Sequence, residues 1–180
     1  MIVHVRKATV GDINHLNAHP FHYGRWLFAH NGTIFGMDQG LRAWMLEQVD
    51  EGFAPLILGD TDSECLFYYL LSAMADNGVD RSGRGHVDPD TVLQIVRRAM
   101  WALDDEAVSR GLERPIVNVL LTNGTIFLAH RAGMPLHLST QKHQCADFDT
   151  CPAIKVCMDC LLYTSPSPRD ATLSRMPSSA

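Results

Sequence analysis

The order of segments in this 180-residue chain predicts an α+β layered domain. Three observations carry that expectation. β-like apolar segments open the chain, helical segments with one apolar face fill its middle, and a hairpin signature follows them. Strands, then helices, then strands again is not the alternation of a βαβ array, and no internal repeat interrupts it.

Each element has a local reason. Ile2 to Val5 reads as a short buried strand. Arg25 to His30 reads as a second, ended by Asn31-Gly32. An Asn-Gly pair favours positive φ, so the chain is expected to turn there and Thr33 to Phe35 to run back as the partner strand. Asp38 to Val49 is expected to be helical, with Leu41, Met45 and Val49 on one face. Thr61 and Glu64 form a capping box ahead of the apolar run Cys65 to Leu71, and Gly78 closes that helix. Asn77 to His86 is a Gly/Arg/Asp-rich loop, and its Arg81 to Arg84 stretch is read as solvated. Asp88-Pro89 then opens another helix, as an N-cap followed by proline at the first helical position. Val92, Ile95, Val96, Ala99 and Leu103 are its inward stripe, and it ends near Gly111. Ile116 to Thr122, Asn123-Gly124 and Thr125 to His130 make the hairpin, and Leu136 to Ser139 is one more strand. Trp44 and Trp101 are expected in the core or at helix contacts.

Composition sets outer bounds. With 46% hydrophobic and 19% charged residues the chain can bury one real core, which excludes a collagen, a coiled coil and wholesale disorder. The longest unbroken apolar stretch, Cys65 to Leu71, is far short of the ~20 residues that cross a bilayer, so no membrane is expected. Net charge is −5 without a basic patch, so nucleic acid is not an expected partner. Five scattered cysteines and no export signal point to reduced thiols and a cytoplasmic location.

The two ends are read separately. From Cys160 the chain runs Cys-Leu-Leu-Tyr-Thr-Ser-Pro-Ser-Pro-Arg-Asp, then Ala171 to Leu173, then Ser-Arg-Met-Pro-Ser-Ser-Ala. This resembles the in-frame translation of a sequencing-library adapter, with Ala171 to Leu173 where a variable index would sit; a natural Ser/Pro-rich terminus is the alternative. Residues 1–159 are therefore read as the domain, and 160–180 as a non-native tail expected to be disordered. Ile2-Val3-His4-Val5 begins in mid-strand with no turn or cap before it, so strands are expected to be missing upstream.

Three clusters could carry chemistry: His4 to Gly11 (His-Val-Arg-Lys-Ala-Thr-Val-Gly), Asn17-Ala18-His19-Pro20-Phe21 leading to His30-Asn31-Gly32, and Gly59 to Glu64 (Gly-Asp-Thr-Asp-Ser-Glu). Singly each has a bland explanation. Arg6 could be a surface cation, Asn31-Gly32 a turn, and Asp60, Thr61 and Asp62 a helix cap. In this order they resemble the class II glutamine amidotransferase domain of the N-terminal nucleophile hydrolases. The nearest flavour is the stand-alone branch that includes the ergothioneine-pathway γ-glutamyl hydrolases. Specific motifs cover Ile2 to about Leu71, and Asn118 to Ser139 is a compatible pattern.

The resemblance implies a four-layer αββα sandwich, incomplete at the N-terminus, and a small-molecule substrate, glutamine or a γ-glutamyl compound. Arg6 would grip the substrate α-carboxylate in the bidentate geometry that only a guanidinium offers, with Thr9 beside it. Asp62, in the first turn of a helix whose dipole favours negative charge, would take the α-ammonium. The Asn31 side-chain amide and the Gly32 backbone N–H would form the oxyanion hole. The family nucleophile, an N-terminal cysteine acting with its own α-amino group, is absent. Residues 1 and 2 are Met1 and Ile2, and the first cysteine, Cys65, lies in an apolar helical run and is read as structural. The chain as written is therefore expected not to hydrolyse glutamine.

No cofactor or metal is implied, and a synthase partner stays open. The competing readings are a non-catalytic glutamine-binding regulatory module and, less favoured, a metal-dependent hydrolase. Cys145, Cys151, Cys157 and Cys160 with His143 lack compact zinc spacing, and the tightest pair needs Cys160. His15, His19 and His22 would need a continuous helix, which Pro20 opposes.

Overall fold

A computed structural model describes Ile2, His4, residues 14–139 and residues 161–164. The chain divides into two compact units, residues 1–133 and 134–180. The first contains strands β1 (Phe21–Tyr23) and β2 (Trp26–Thr33), helices α1 (Arg42–Glu47), α2 (Asp62–Asp76) and α3 (Pro89–Ser109), and strands β3 (Ile116–Thr122) and β4 (Phe127–His130). In the second, β5 (Leu136–Ser139) pairs antiparallel with β6 (Leu161–Thr164). The rest of the 160–180 segment, and His143, Cys145, Cys151 and Cys157, lie outside the described residues. Of the expected Ile2 to Val5 strand, Val3 and Val5 lie outside the described residues, and Ile2 and His4 belong to no strand.

The α+β class holds. In the first unit one antiparallel sheet, in the order β1-β2-β3-β4, carries a helical layer. Alternation along β2 turns Trp26, Phe28 and His30 to the helix side. Phe28 stacks on Phe67 of α2 with ring centroids 5.2 Å apart. Every residue of α2 from Asp62 to Ser72 is buried, so α2 is the central helix between the sheet and α3. The Thr61 hydroxyl caps it by accepting from the Glu64 N–H at 3.3 Å, as the capping box predicts. The expected inward stripe of α3 is buried throughout, and Tyr69 of α2 donates to the Ala99 carbonyl at 3.0 Å. Among the described residues no helix is long and apolar enough to cross a membrane.

Four expectations are corrected. The chain does not turn at Asn31-Gly32. β2 runs straight through that pair to Thr33, because β3 offers a continuous ladder with Asn31 opposite Asn118, Gly32 opposite Val117 and Thr33 opposite Ile116. The turn falls at Gly36, where φ is 75°. The partner of β2 on its other edge is β1, a three-residue strand too short for periodicity to announce. The helix expected from Asp38 is broken at Gly40 (φ 92°), so a π-turn over Met37–Leu41 precedes α1; Leu41, Met45 and Val49 are buried as expected. Trp101 is not in the core: it is 58% exposed on the outer face of α3, with the Arg97 guanidinium 5.1 Å from its ring centroid. Trp44 does make the expected helix contact, against Tyr69 of α2.

Candidate functional site

The Gly59 to Glu64 segment looks acidic in sequence, yet most of it is scaffold. Asn17, wholly buried, accepts from the Asp60 N–H at 3.3 Å and donates to the Asp60 carboxylate at 2.6 Å. This ties the Asn17 to Phe21 loop to the entrance of α2. Gly59 has no room for a side chain, since a Cβ there would lie 2.4 Å from the Asn17 amide oxygen. Glu64 reaches back past the cap and accepts from the N–H groups of Leu58 (3.2 Å) and Gly59 (2.6 Å). The Arg42 guanidinium donates to the carbonyls of Thr61 and Gly59 at 3.4 and 3.5 Å. Backbone donors and acceptors of the segment leading into α2 are thus met by side chains.

Asp62 points the other way, toward the sheet. It is buried, and its Oδ2 accepts from the backbone N–H of Ile34 at 2.9 Å. Ile34 lies two residues beyond Gly32, so this bond fastens the first turn of α2 to the outgoing end of β2. Ser63 Oγ sits 3.1 Å from Asp62 Oδ1 and 2.9 Å from His30 Nδ1. His30 Nε2 lies 3.2 Å from the Ile116 carbonyl. Burial holds His30 below the ordinary histidine range, against the opposing pull of Asp62 and the Ile116 hydrogen bond.

On the strand itself, Asn31 and Gly32 are half-buried. By alternation the Asn31 side chain leaves the sheet on the face opposite His30, alongside that of its ladder partner Asn118. Asn118 is fully buried and accepts from the Ala132 N–H at 3.2 Å. Gly32 is packed so closely on β3 that a Cβ would meet the Ile116 carbonyl oxygen at 1.8 Å. Three expected site residues, Asn31, Gly32 and Asp62, are therefore gathered at one end of β2. Arg6 and Thr9 lie outside the described residues.

A profile of class II glutamine amidotransferases matches residues 1–148. The chain belongs to the class II glutamine amidotransferase family. It is 28% identical over 140 residues to a probable glutamine amidotransferase of Saccharomyces cerevisiae, which covers 73% of this chain and 38% of that protein. It is 36% identical over 99 residues to an uncharacterized protein of Methanocaldococcus jannaschii, covering 53% of this chain and 24% of that one. The chain thus spans less than half the length of these curated relatives. A solved glutamine aminotransferase class-II domain protein from Silicibacter pomeroyi shares the fold, with a TM-score of 0.51 at 21% identity over 71% of this chain and 56% of that one.

Within this family member, Cys65 is unsuited to nucleophilic attack. It is wholly buried in α2, and burial pushes its thiol up to about 11, with Asp62 and Glu64 adding to the shift. Among the described residues no three His, Cys, Asp or Glu side chains could hold a metal ion. A cavity of about 540 Å³ lies at the far end of the sheet, by Arg25, Asn123 and Phe127, and contains none of the gathered residues. The sequence places His30, Ser63 and Asn17 within the three clusters but assigns none of them a role in the site. His30 and Ser63 each flank a flagged residue, and their alternation with Asn31 and Asp62 was the available signal.

Proposed function

We propose that this chain supplies the substrate-recognising and oxyanion-binding part of a site that hydrolyses the amide of glutamine or a γ-glutamyl compound. The observation that carries the proposal is the Asp62–Ile34 bond, which sets a buried carboxylate beside the Asn31-Gly32 strand in a class II family member. In this reading Asp62 receives the substrate α-ammonium, and Arg6 with Thr9 receives the α-carboxylate. The Asn31 amide and the Gly32 N–H stabilise the charge that grows on the γ-carbonyl oxygen. A thiolate adds to that carbonyl, ammonia leaves, and water hydrolyses the thioester to glutamate. Cys65 does not furnish that thiolate. The ammonia set free goes to water or to a synthase partner.

The burial of Cys65 favours a second reading for the chain by itself, in which it binds glutamine and cleaves nothing. Calorimetry with L-glutamine and with glutaramate, its analogue lacking the α-amino group, tests the shared part. The proposal expects glutamine to bind at least about tenfold more tightly, and Asp62→Asn to erase the difference, since a charge-assisted bond is at stake. Equal affinity for both ligands in the unaltered chain contradicts it. Ammonia release then separates the readings: the chain as given is expected to release none from glutamine.

A further inference from the structure

We infer that His30 and Ser63 are positioning residues for the Asn31-Gly32 segment, fixing from behind the sheet the Ile116 carbonyl against which Gly32 is packed. The position itself is read from geometry. Its meaning for the reaction rests on the function proposed above.

The argument begins with proton inventory. A backbone carbonyl can only accept, so the 3.2 Å contact with Ile116 requires the proton on His30 Nε2. A neutral ring then presents a bare Nδ1, which can only accept, and the group facing it at 2.9 Å is the Ser63 hydroxyl. Ser63 therefore donates to His30. The same hydroxyl lies within donating distance of Asp62 Oδ1 at 3.1 Å, so its one proton is shared between two acceptors. Asp62 is thereby engaged at both oxygens, Oδ2 by the Ile34 N–H and Oδ1 by Ser63.

The second part is steric. The Ile116 carbonyl oxygen occupies the space where a side chain at position 32 would begin, 1.8 Å from its Cβ. His30 Nε2 lies 2.9 Å from that same point. The carbonyl is thus held between the Gly32 backbone and the imidazole edge, and any drift of the oxygen is felt first by Gly32. A buried imidazole is costly to desolvate, and an apolar side chain would fill the space between sheet and helix as well. What a hydrocarbon could not do is join Ser63, at the start of α2, to a carbonyl of β3 through the strand that carries the oxyanion donors. Asp62 makes a second link from the same turn of α2, accepting from the Ile34 N–H just beyond β2. The two links bracket Gly32.

The test uses the full 180-residue chain and the variants Ser63→Ala and Ser63→Thr. Amide hydrogen exchange is followed at Gly32 and Ile34, with Phe28 and Leu121 of the same ladder as internal references. In Ser63→Ala, exchange at Gly32 is expected to quicken by about tenfold relative to Phe28, and L-glutamine affinity to fall by about tenfold. Ser63→Thr, which keeps the hydroxyl, is expected to restore both. Unchanged exchange at Gly32, or an equal rise at Gly32 and Phe28, overturns the proposal. If the unaltered chain binds no glutamine, the proposed function fails, while the exchange ratio still decides whether Gly32 is held this way. Should Ser63→Ala not fold, imidazole ¹⁵N shifts of the unaltered chain decide. Protonated Nε2 with bare Nδ1 on His30 supports the assignment, and the opposite tautomer overturns it.

Discussion

Two of the Asn-Gly pairs in the chain stand at opposite ends of the same sheet, and they do opposite things. Asn123-Gly124 makes the turn between β3 and β4. Gly124 takes φ 88°, and Asn123 accepts from the N–H groups of Thr125 and Ile126, both at 3.0 Å, while donating to the Gly83 carbonyl at 3.1 Å. Asn31-Gly32 makes no turn and runs on inside β2. Local preference is the same in both places, so it cannot be what decides. At residues 123–124 the neighbouring strands end and the Asn side chain closes on its own backbone, the habit that suits it to turns. At residues 31–32 the β3 ladder continues, and the bonds from Asp62 and His30 hold the strand extended on either side. The pair that obeys its preference shapes the hairpin, and the pair that is overruled sits at the candidate site.

The largest expected effect breaks the comparison at glycine. Gly32→Ala drives a Cβ into the Ile116 carbonyl at 1.8 Å, against backbone that cannot swing aside, and is expected to cost more than about 4 kcal/mol in urea unfolding. Gly124→Ala meets nothing nearer than the Arg25 guanidinium at 3.8 Å, so only its left-handed backbone is penalised, by about 1–2 kcal/mol. Comparable losses for the two would show that Gly32 is not packed as described. The asparagines are compared on different readouts. Asn123→Ala removes three hydrogen bonds from a buried side chain and should cost about 2–3 kcal/mol. On the proposed function, Asn31→Ala in a form that carries the nucleophile should lower glutamine hydrolysis by about 100- to 1,000-fold, the effect expected for loss of one oxyanion donor.

Much of this was legible in the sequence, for identifiable reasons. α2, α3 and the β3–β4 hairpin were readable because their caps, stripes and turn residues act within a few positions of one another. Thr61, Asp88 and Asn123 are all short-range signals, and each does in the fold what its type predicts. The course of β2 was not readable, because what holds it straight comes from Ile116 and Asp62, distant in sequence. The site was legible in part. Asp62 and the Asn31-Gly32 pair stand out by chemistry and order, whereas His30 and Ser63 act through contacts 33 and 86 positions away. Nothing in a lone His or Ser announces such partners.

Smaller effects sharpen the picture of the helix entrance. Thr61→Ala removes the cap of α2 and should cost about 1 kcal/mol. The smallest is a pH dependence. Burial lowers the pKa of His30 below 6.5 in the folded state, so as pH drops the unfolded chain takes up this proton first. Stability is therefore complete above about pH 6.5 and falls as the pH descends toward the folded value. The groups facing the ring are Asp62, Ser63 and the Ile116 carbonyl. His130, on the same sheet face near Arg97, is displaced in the same direction by burial and that charge. Chemical unfolding between pH 7 and 5 should accordingly show a slope that shrinks in His30→Gln and shrinks further when His130 is replaced as well.

Titrating the ¹⁵N-labelled chain with L-glutamine, with amide resonances as the readout, tests the central claim most directly. The account predicts saturable shifts at Asn31, Gly32, Ile34 and Asp62 and none at Asn123 or Gly124. Shifts confined to the hairpin end, or no saturable shift at β2 at any glutamine concentration, would contradict it.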